Sequence, residues 1–422
     1  MLSLQFIRDN YKILEQTLNA KNVKIDLNKI LNLDAQRREL IKEADTLKAQ
    51  RNRVSQEISE KKKNKQSAEN DIKNMRLVSE SIKTLDNKLK NIVNDLDELL
   101  LYIPNLLHNS VPIGSPPEDN LVIREWGEKI SRDYKLKDHV EICDNLELTD
   151  FQRAAKMSGS AFPLYTKLGA KLERSLINYM LDFHIEKHGY SELMPPFLTT
   201  RAATTTTGQL PKLKDDMYYI ESDDLFCIPT AEVPVTNLYA NEVLKEEELP
   251  LKHVAYSACF RREAGSYGKD TRGLLRVHQF NKVEMVKFVA PENSYEELEK
   301  LTIDAEEILK SLNLHYRVLA LCSGDISFAA AKCYDLEVWS PGEKKYLEVS
   351  SCSNFESFQA RRGSIKYRSN VDQKVRHVHT LNGSGLATPR LMIALLETYQ
   401  NEDGSISIPK PLQPYMGTNL IK

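Results

Sequence analysis

No run of apolar residues approaches the ~20 that a membrane span needs, and no basic segment followed by an apolar one opens the chain, so neither a membrane partner nor a secretory leader is expected. Cysteine is sparse. Cys143, Cys227, Cys259, Cys322, Cys333 and Cys352 stand singly, with no C-x-x-C pair and no Cys/His cluster at metal-ligand spacing. That pattern speaks against zinc and fits a reducing, cytoplasmic setting. Charge of one sign is also missing, since 58 Lys and Arg meet 60 Asp and Glu for a net charge of -2. Any nucleic acid must therefore be held by a local basic patch and not by a global field. Neither an internal repeat nor a collagen-like or disorder-like bias is visible. What remains, 41% hydrophobic and 28% charged residues over 422 positions, is the profile of an ordinary globular protein with two unequal domains.

Glycine and proline are absent from residues 30–100, and apolar residues there recur at alternating steps of three and four. One run is Leu33, Leu40, Ala44, Leu47, Val54 and Ile58, with Arg37 and Arg51 filling two seam positions. A second is Met75, Val78, Ile82, Leu85, Leu89, Ile92, Leu96 and Leu99. This is heptad spacing, and the polar, lysine-rich break at residues 61–67 suits the tip of an antiparallel helical hairpin. Arg37, Arg38, Lys42, Lys48, Arg51 and Arg53 line its first half. Such an arm is either a basic finger for RNA or a solvated coiled coil whose charges only keep it soluble.

Pro104, Pro112, Gly114, Pro116 and Pro117 mark a linker at residues 103–120, which divides a helical arm (1–102) from a second domain (121–422). In that domain a helix is expected at 164–187, stopped by Gly189, with further helices near 291–312 and 386–400. Strand-like runs fall at 226–228, 253–263, 275–289, 334–339, 346–351 and 377–381. Many strands with few βαβ alternations predict an α+β domain on a mainly antiparallel sheet with flanking helices.

Period two gives these strands a polar face. Arg261 would share a face with Glu263, Thr230 with Glu232, and Glu348 with Ser350, while Arg276, His278, Phe280, Lys282 and Glu284 line another. A cation, an aromatic plate and a carboxylate in a row could hold a phosphate, a base and an amine. A salt-bridged surface hairpin would show the same alternation. Asn382-Gly383-Ser384-Gly385 then opens a helix with Pro389 and Arg390 in its first turn, but it is neither a P-loop nor a dinucleotide fingerprint.

The order of these segments resembles motifs 1, 2 and 3 of class II aminoacyl-tRNA synthetases. A helix ending in Gly189-Tyr190 precedes Pro195-Pro196; then come Phe260-Arg261-Arg262-Glu263, His278-Gln279-Phe280 and Glu284; then Gly383-Ser384-Gly385 and Arg390. Thr230-Ala231-Glu232, the stretch 264–273 and Glu348-Val349-Ser350-Ser351 narrow the resemblance to seryl-tRNA synthetases of the bacterial type, over essentially the whole chain. It implies a class II catalytic domain behind a coiled-coil arm, ATP and Mg²⁺ without zinc, L-serine, tRNA(Ser) with tRNA(Sec) left open as a second acceptor, no DNA partner, and a homodimer.

By the same resemblance Arg261, Arg262 and Glu263 match the motif 2 contacts to ATP, and Arg276 matches a second phosphate-binding arginine. Phe280 matches the aromatic that stacks on adenine, and Arg390 the motif 3 arginine; Arg261, Arg276 and Arg390 make up the catalytic set. Glu348, Val349, Ser350 and Ser351 match the segment that meets ATP, with Glu348 and Ser351 on Mg²⁺. Thr230, Ala231, Glu232, Arg261, Glu284 and Ser384 match serine-binding positions, and the six basic residues of the arm become its tRNA contacts. Two departures stand out: a threonine run, Thr204 to Thr207, expected in a loop, and Ser327 where glycine is more usual. Relatives that load an amino acid onto a carrier protein lack the arm and use zinc ligands; an RNA-binding paralogue without catalysis would not need Arg261, Glu284 and Arg390.

Overall fold

In the computed structural model, which describes residues 2–264 and 272–422, the stretch without glycine or proline forms two long helices, α1 (Leu27–Lys63) and α2 (Glu69–Leu100). Asp26 starts α1 by accepting from the backbone N–H groups of Asn28 and Lys29, which have no partner inside the helix. Along α1, Leu33, Arg37, Leu40, Ala44, Leu47, Arg51, Val54 and Ile58 are all buried or half-buried while most of their neighbours are exposed. Both arginines therefore sit in the seam with their stems laid along it, and the Arg37 head turns to the buried Asp34 at 3.1 Å. On α2 the seam buries Ile82, Leu85, Leu96 and Leu100.

These helices belong to a unit made of Met1–Asn19 and Val23–Pro104; the other unit is Ala20–Asn22 with Asn105–Lys422. Residues 105–120 are packed into the second unit: Asn105 Nδ2 donates to the Phe355 carbonyl at 2.8 Å, and the Cys322 N–H donates to Asn120 Oδ1 at 2.8 Å.

The second unit is built on eight strands: β1 (Leu121–Trp126), β2 (Ser191–Leu193), β3 (Leu251–Phe260), β4 (Gln279–Val289), β5 (Tyr316–Ala320), β6 (Lys332–Ser340), β7 (Lys345–Asn354) and β8 (His379–Ala387). Their order is β1-β5-β6-β7-β8-β4-β3-β2, and every pairing is antiparallel except β2 with β3. Helices α3 (Lys167–His188), α4 (Ser294–Ser311) and α5 (Thr388–Thr398) supply one core, in which Leu172, Leu176, Leu301, Ile308, Leu391 and Leu395 meet Val283 and Met285 of β4. Alternation sends Lys282, Glu284, Val286 and Phe288 to the other face, where Val286 and Phe288 join a smaller core with Ala231, Val235 and Ala255.

The threonine run is a helix and not a loop. Arg201–Thr207 is helical, capped by Thr200, and Thr205, Thr206 and Thr207 each donate their hydroxyl to the carbonyl four residues back. Threonine is a poor helix former chiefly because its β-branch restricts χ1, but here each hydroxyl finds its partner inside the helix and does not draw the chain out of it.

Candidate active site

Against the sheet face that carries these polar pairs, a cavity of about 620 Å³ opens. Arg261, Glu263, Arg276, Phe280, Glu348 and Arg390 line one part; Thr230, Glu232, Lys282, Glu284, Asn382 and Ser384 line another. Five segments far apart in the chain thus converge on one space.

At the first end the groups are arginines against an aromatic plate. The Arg261 guanidinium lies 5.2 Å from the centre of the Phe280 ring, within cation–π range. Arg276 Nη1 is 3.1 Å from Glu263 Oε2. Arg390 enters from the first turn of α5, donating from Nη1 to the Glu348 carbonyl at 3.0 Å, with Glu348 Oε2 at 3.4 Å. These arginines remain about 27–29% exposed in the case of Arg276 and Arg390, so they stay available to an anionic ligand.

At the other end the charges are buried and mutually fixed. Lys282 Nζ is 2.6 Å from Glu284 Oε2, with side-chain exposures of only 8% and 1%. Asn382 Nδ2 donates to Glu284 Oε1 at 2.9 Å and the Ser384 hydroxyl to Oε2 at 3.4 Å. Glu232 Oε1 accepts from Gln359 Nε2 at 2.6 Å, and Gln359 is itself held by Thr380. Burial pushes the Glu232 carboxyl up to about 7, and the nearby Glu284 adds to the effect. A small cationic group could settle here against two carboxyls, one of them poised to ionise near neutrality.

Several expectations, from strand alternation and from the resemblance, are not met in position. Ser350 does not line the cavity: a bulge in β7, where Leu336 pairs Ser350 but Glu337 pairs Glu348, shifts the phase, so that Glu348, Ser351 and Ser353 face inward while Ser350 donates to the Ser384 carbonyl at 2.6 Å. Thr230 and Glu232 are not on a strand, because Glu232–Thr236 is helical; Ala231 just before it is buried in the smaller core and does not line the cavity. Arg261 and Glu263 lie past the end of β3, with Glu263 at φ 51°. Arg262 between them is exposed and outside the cavity, its backbone N–H bonded to the Asp216 carbonyl at 2.9 Å. His278 also turns away, its Nδ1 3.0 Å from the Arg261 carbonyl and its ring against Phe162. Most of the stretch 264–273, at residues 265–271, lies outside the described residues.

Sequence reasoning overlooked Asn382, Gln359 and Asp216. Asn382 carried a signal, since it stands two residues before Ser384 on one strand; Gln359 and Asp216 carried none. In the arm, Lys48 pairs with Asp86 at 3.0 Å and Arg53 with Glu57 at 3.8 Å. Arg37 and Arg38 both lie against the buried Asp34, at 3.1 and 3.3 Å. Lys42 and Arg51 have no ion pair among the described residues, and α2 adds exposed Arg76, Lys83, Lys88 and Lys90.

Comparison with known proteins sets this geometry beside others. A profile for the seryl-tRNA synthetase N-terminal domain matches residues 1–107, and one for the class II tRNA synthetase core domain (G, H, P, S and T) matches residues 216–399. The serine–tRNA ligase of Chloroherpeton thalassium is 55% identical over 100% of both chains, and that of Listeria welshimeri is 53% identical over 99% of this chain and 98% of its own. Among solved structures, seryl-tRNA synthetase from Pyrococcus horikoshii complexed with ATP superposes with a TM-score of 0.93 at 38% identity, covering 100% of this chain and 99% of that one. The cytoplasmic serine-tRNA ligase of Naegleria fowleri in complex with AMP gives 0.88 at 28% identity, with 100% and 99% covered.

Proposed function

The chain belongs to the seryl-tRNA synthetase family, and from that membership we propose how its residues divide the work of activating serine with ATP and charging tRNA. The activity itself is that of a class II serine–tRNA ligase. One observation carries the division: the arginine and aromatic end of the cavity adjoins the buried carboxylate end.

Serine's carboxylate is ionised at neutral pH, so it attacks the α-phosphorus of ATP without a general base. A bond forms from carboxylate oxygen to phosphorus, the α–β phosphoanhydride breaks, and pyrophosphate leaves with the electron pair. Catalysis then consists of positioning and charge stabilisation. Arg261 and Arg276 offset charge on the phosphoryl oxygens; Phe280 and Arg390 fix the nucleotide. The 3′-hydroxyl of the terminal ribose of tRNA next attacks the acyl carbon, and AMP leaves.

Glu284, with its oxygens fixed by Lys282, Asn382 and Ser384, recognises the amine and hydroxyl of serine, and Thr230 and Glu232 close that end. Alanine would leave these buried polar groups short of a partner, a strong basis for rejection. Mg²⁺ fits beside Glu348 and Ser351. The donors are oxygens, which suit a hard cation, and both side chains line the cavity. When bound, the cation neutralises phosphate charge. The arm takes tRNA(Ser) through backbone and shape, for which Lys42, Lys48, Arg51 and Arg53 on α1 and the exposed cations of α2 suffice. A homodimer is part of this proposal, and light scattering on the purified chain checks it.

Amino-acid-dependent ATP–pyrophosphate exchange, run with serine, threonine, alanine and cysteine, tests the core of it. Exchange should be strong with serine alone; exchange that is independent of the amino acid, or absent, would refute it.

A further inference from the structure

Behind the cavity, on the helix side of the sheet, a single carboxyl joins segments that carry side chains facing the nucleotide end. Glu173 of α3 is 4% exposed. Its Oε1 accepts from Asn281 Nδ2 at 2.8 Å and from the Thr388 hydroxyl. The same hydroxyl lies 3.0 Å from the Asn281 carbonyl oxygen, and Asn281 Oδ1 accepts from the Tyr256 hydroxyl at 3.0 Å. Alternation along β4 turns Asn281 to this side and its neighbours Phe280 and Lys282 into the cavity. Thr388 begins α5 two residues before Arg390.

This contact is costly for a packing role. Glu173 Oε2 and the nearby Tyr165 hydroxyl have no hydrogen-bond partner among the described residues. Burial pushes the Glu173 carboxyl up to about 7. An apolar side chain would avoid that desolvation penalty, so a polar acceptor at this place is best understood through what it holds.

We propose that Glu173 is a positioning residue for the nucleotide: it pins β4 to the start of α5, fixes the spacing between Phe280 and Arg390, and thereby sets affinity for ATP but not for serine. The proposal rests on the assignment of the arginine and aromatic end to ATP. The serine end has its own supports, with Glu284 held by Lys282, Asn382 and Ser384, and Glu232 by Gln359. Displacements well under an ångström between two gripping groups are enough to matter, since a misplacement of about 1 Å can cost ~100-fold.

The test measures equilibrium ATP binding and serine-dependent exchange in the full-length Glu173→Ala and Glu173→Gln proteins. Glu173→Ala should raise both Kd and KM for ATP about tenfold while KM for serine stays within about twofold. Glu173→Gln, which keeps one oxygen for both donors, should bring ATP affinity back to within about twofold of wild type. Where Glu173→Ala is poorly folded, Thr388→Val removes one donor at nearly constant volume and should raise Kd for ATP about threefold. Unchanged ATP affinity in the alanine and valine variants, equal losses for ATP and serine, or no recovery with glutamine each overturns the role. A wild-type protein that binds ATP without serine-dependent exchange overturns the functional assignment instead, and ATP binding by the variants still decides the fate of Glu173.

Discussion

The arm and the catalytic cavity use the same charged residue types under opposite conditions. In the arm, Lys48 and Asp86 are 41% and 46% exposed and Arg53 and Glu57 are 74% and 53% exposed. In the cavity, the Lys282–Glu284 pair is almost wholly buried and carries two further hydrogen-bond donors on the carboxylate. Exposed pairs are worth about 0–1 kcal/mol and exchange their partner for a phosphate at little cost. A buried network is fixed in advance and strengthened by its low-dielectric surroundings. On the proposed assignment, burial, more than residue identity, separates a surface suited to many phosphates from a pocket suited to one small molecule.

That contrast is sharpened first where the effect is largest. Arg276→Ala should lower the rate of pyrophosphate exchange by 10²–10³-fold, about 3 kcal/mol, measured at saturating serine. Next comes Glu232. Its carboxyl, raised to about 7 by burial, is neutral below that pH and charged above it, and serine's ammonium favours the charged form. Accordingly kcat/KM for serine should climb about tenfold per pH unit up to roughly pH 7 and then level off. Glu232→Gln should flatten the profile at the low end. The linked sign for folding is the reverse: the buried group favours its neutral form, so unliganded wild type loses stability as pH rises from about 4.5 to about 7, and the glutamine variant does not.

Smaller effects belong to the arm. Asp34 is the exception there, buried and holding Arg8, Arg37 and Arg38. Burial opposes its ionisation, yet hydrogen bonds from Arg8 and Arg37 keep its carboxyl below the usual range. Asp34→Ala should destabilise the helical arm by about 1–2 kcal/mol, discounted for the partly exposed arginines, with exchange unchanged; thermal melts followed by circular dichroism measure it. Smallest is Lys42→Ala, which should reduce the slope of log K against log salt for tRNA binding by about one unit and leave serine activation alone.

The arm was the more legible region because its order is local. Steps of three and four predicted the seam down to Arg37 and Arg51, both half-buried in α1. On β4 the same was true of Phe280, Lys282 and Glu284, since one unbroken strand preserves period two. Failures came where position depends on a distant partner. The β7 bulge that turns Ser350 out of the cavity and adds Ser353 beside the expected Ser351 is defined only by pairing with β6. Arg262 left the site because the chain turns after β3 at a point tied to Asp216. Gln359 reaches Glu232 across 127 residues, a contact no local pattern encodes. The threonine helix misled for another reason: intrinsic propensity is a weak guide once hydroxyls find carbonyls one turn back.

The division between region and task is tested most directly by measuring serine-dependent ATP–pyrophosphate exchange and tRNA charging side by side in Arg261→Ala and in the double variant Lys42→Glu/Arg51→Glu. Arg261→Ala should lose at least about 100-fold in both reactions, whereas the arm variant should keep exchange within about twofold and lose charging at limiting tRNA. Equal loss of exchange in the two folded proteins would contradict the account.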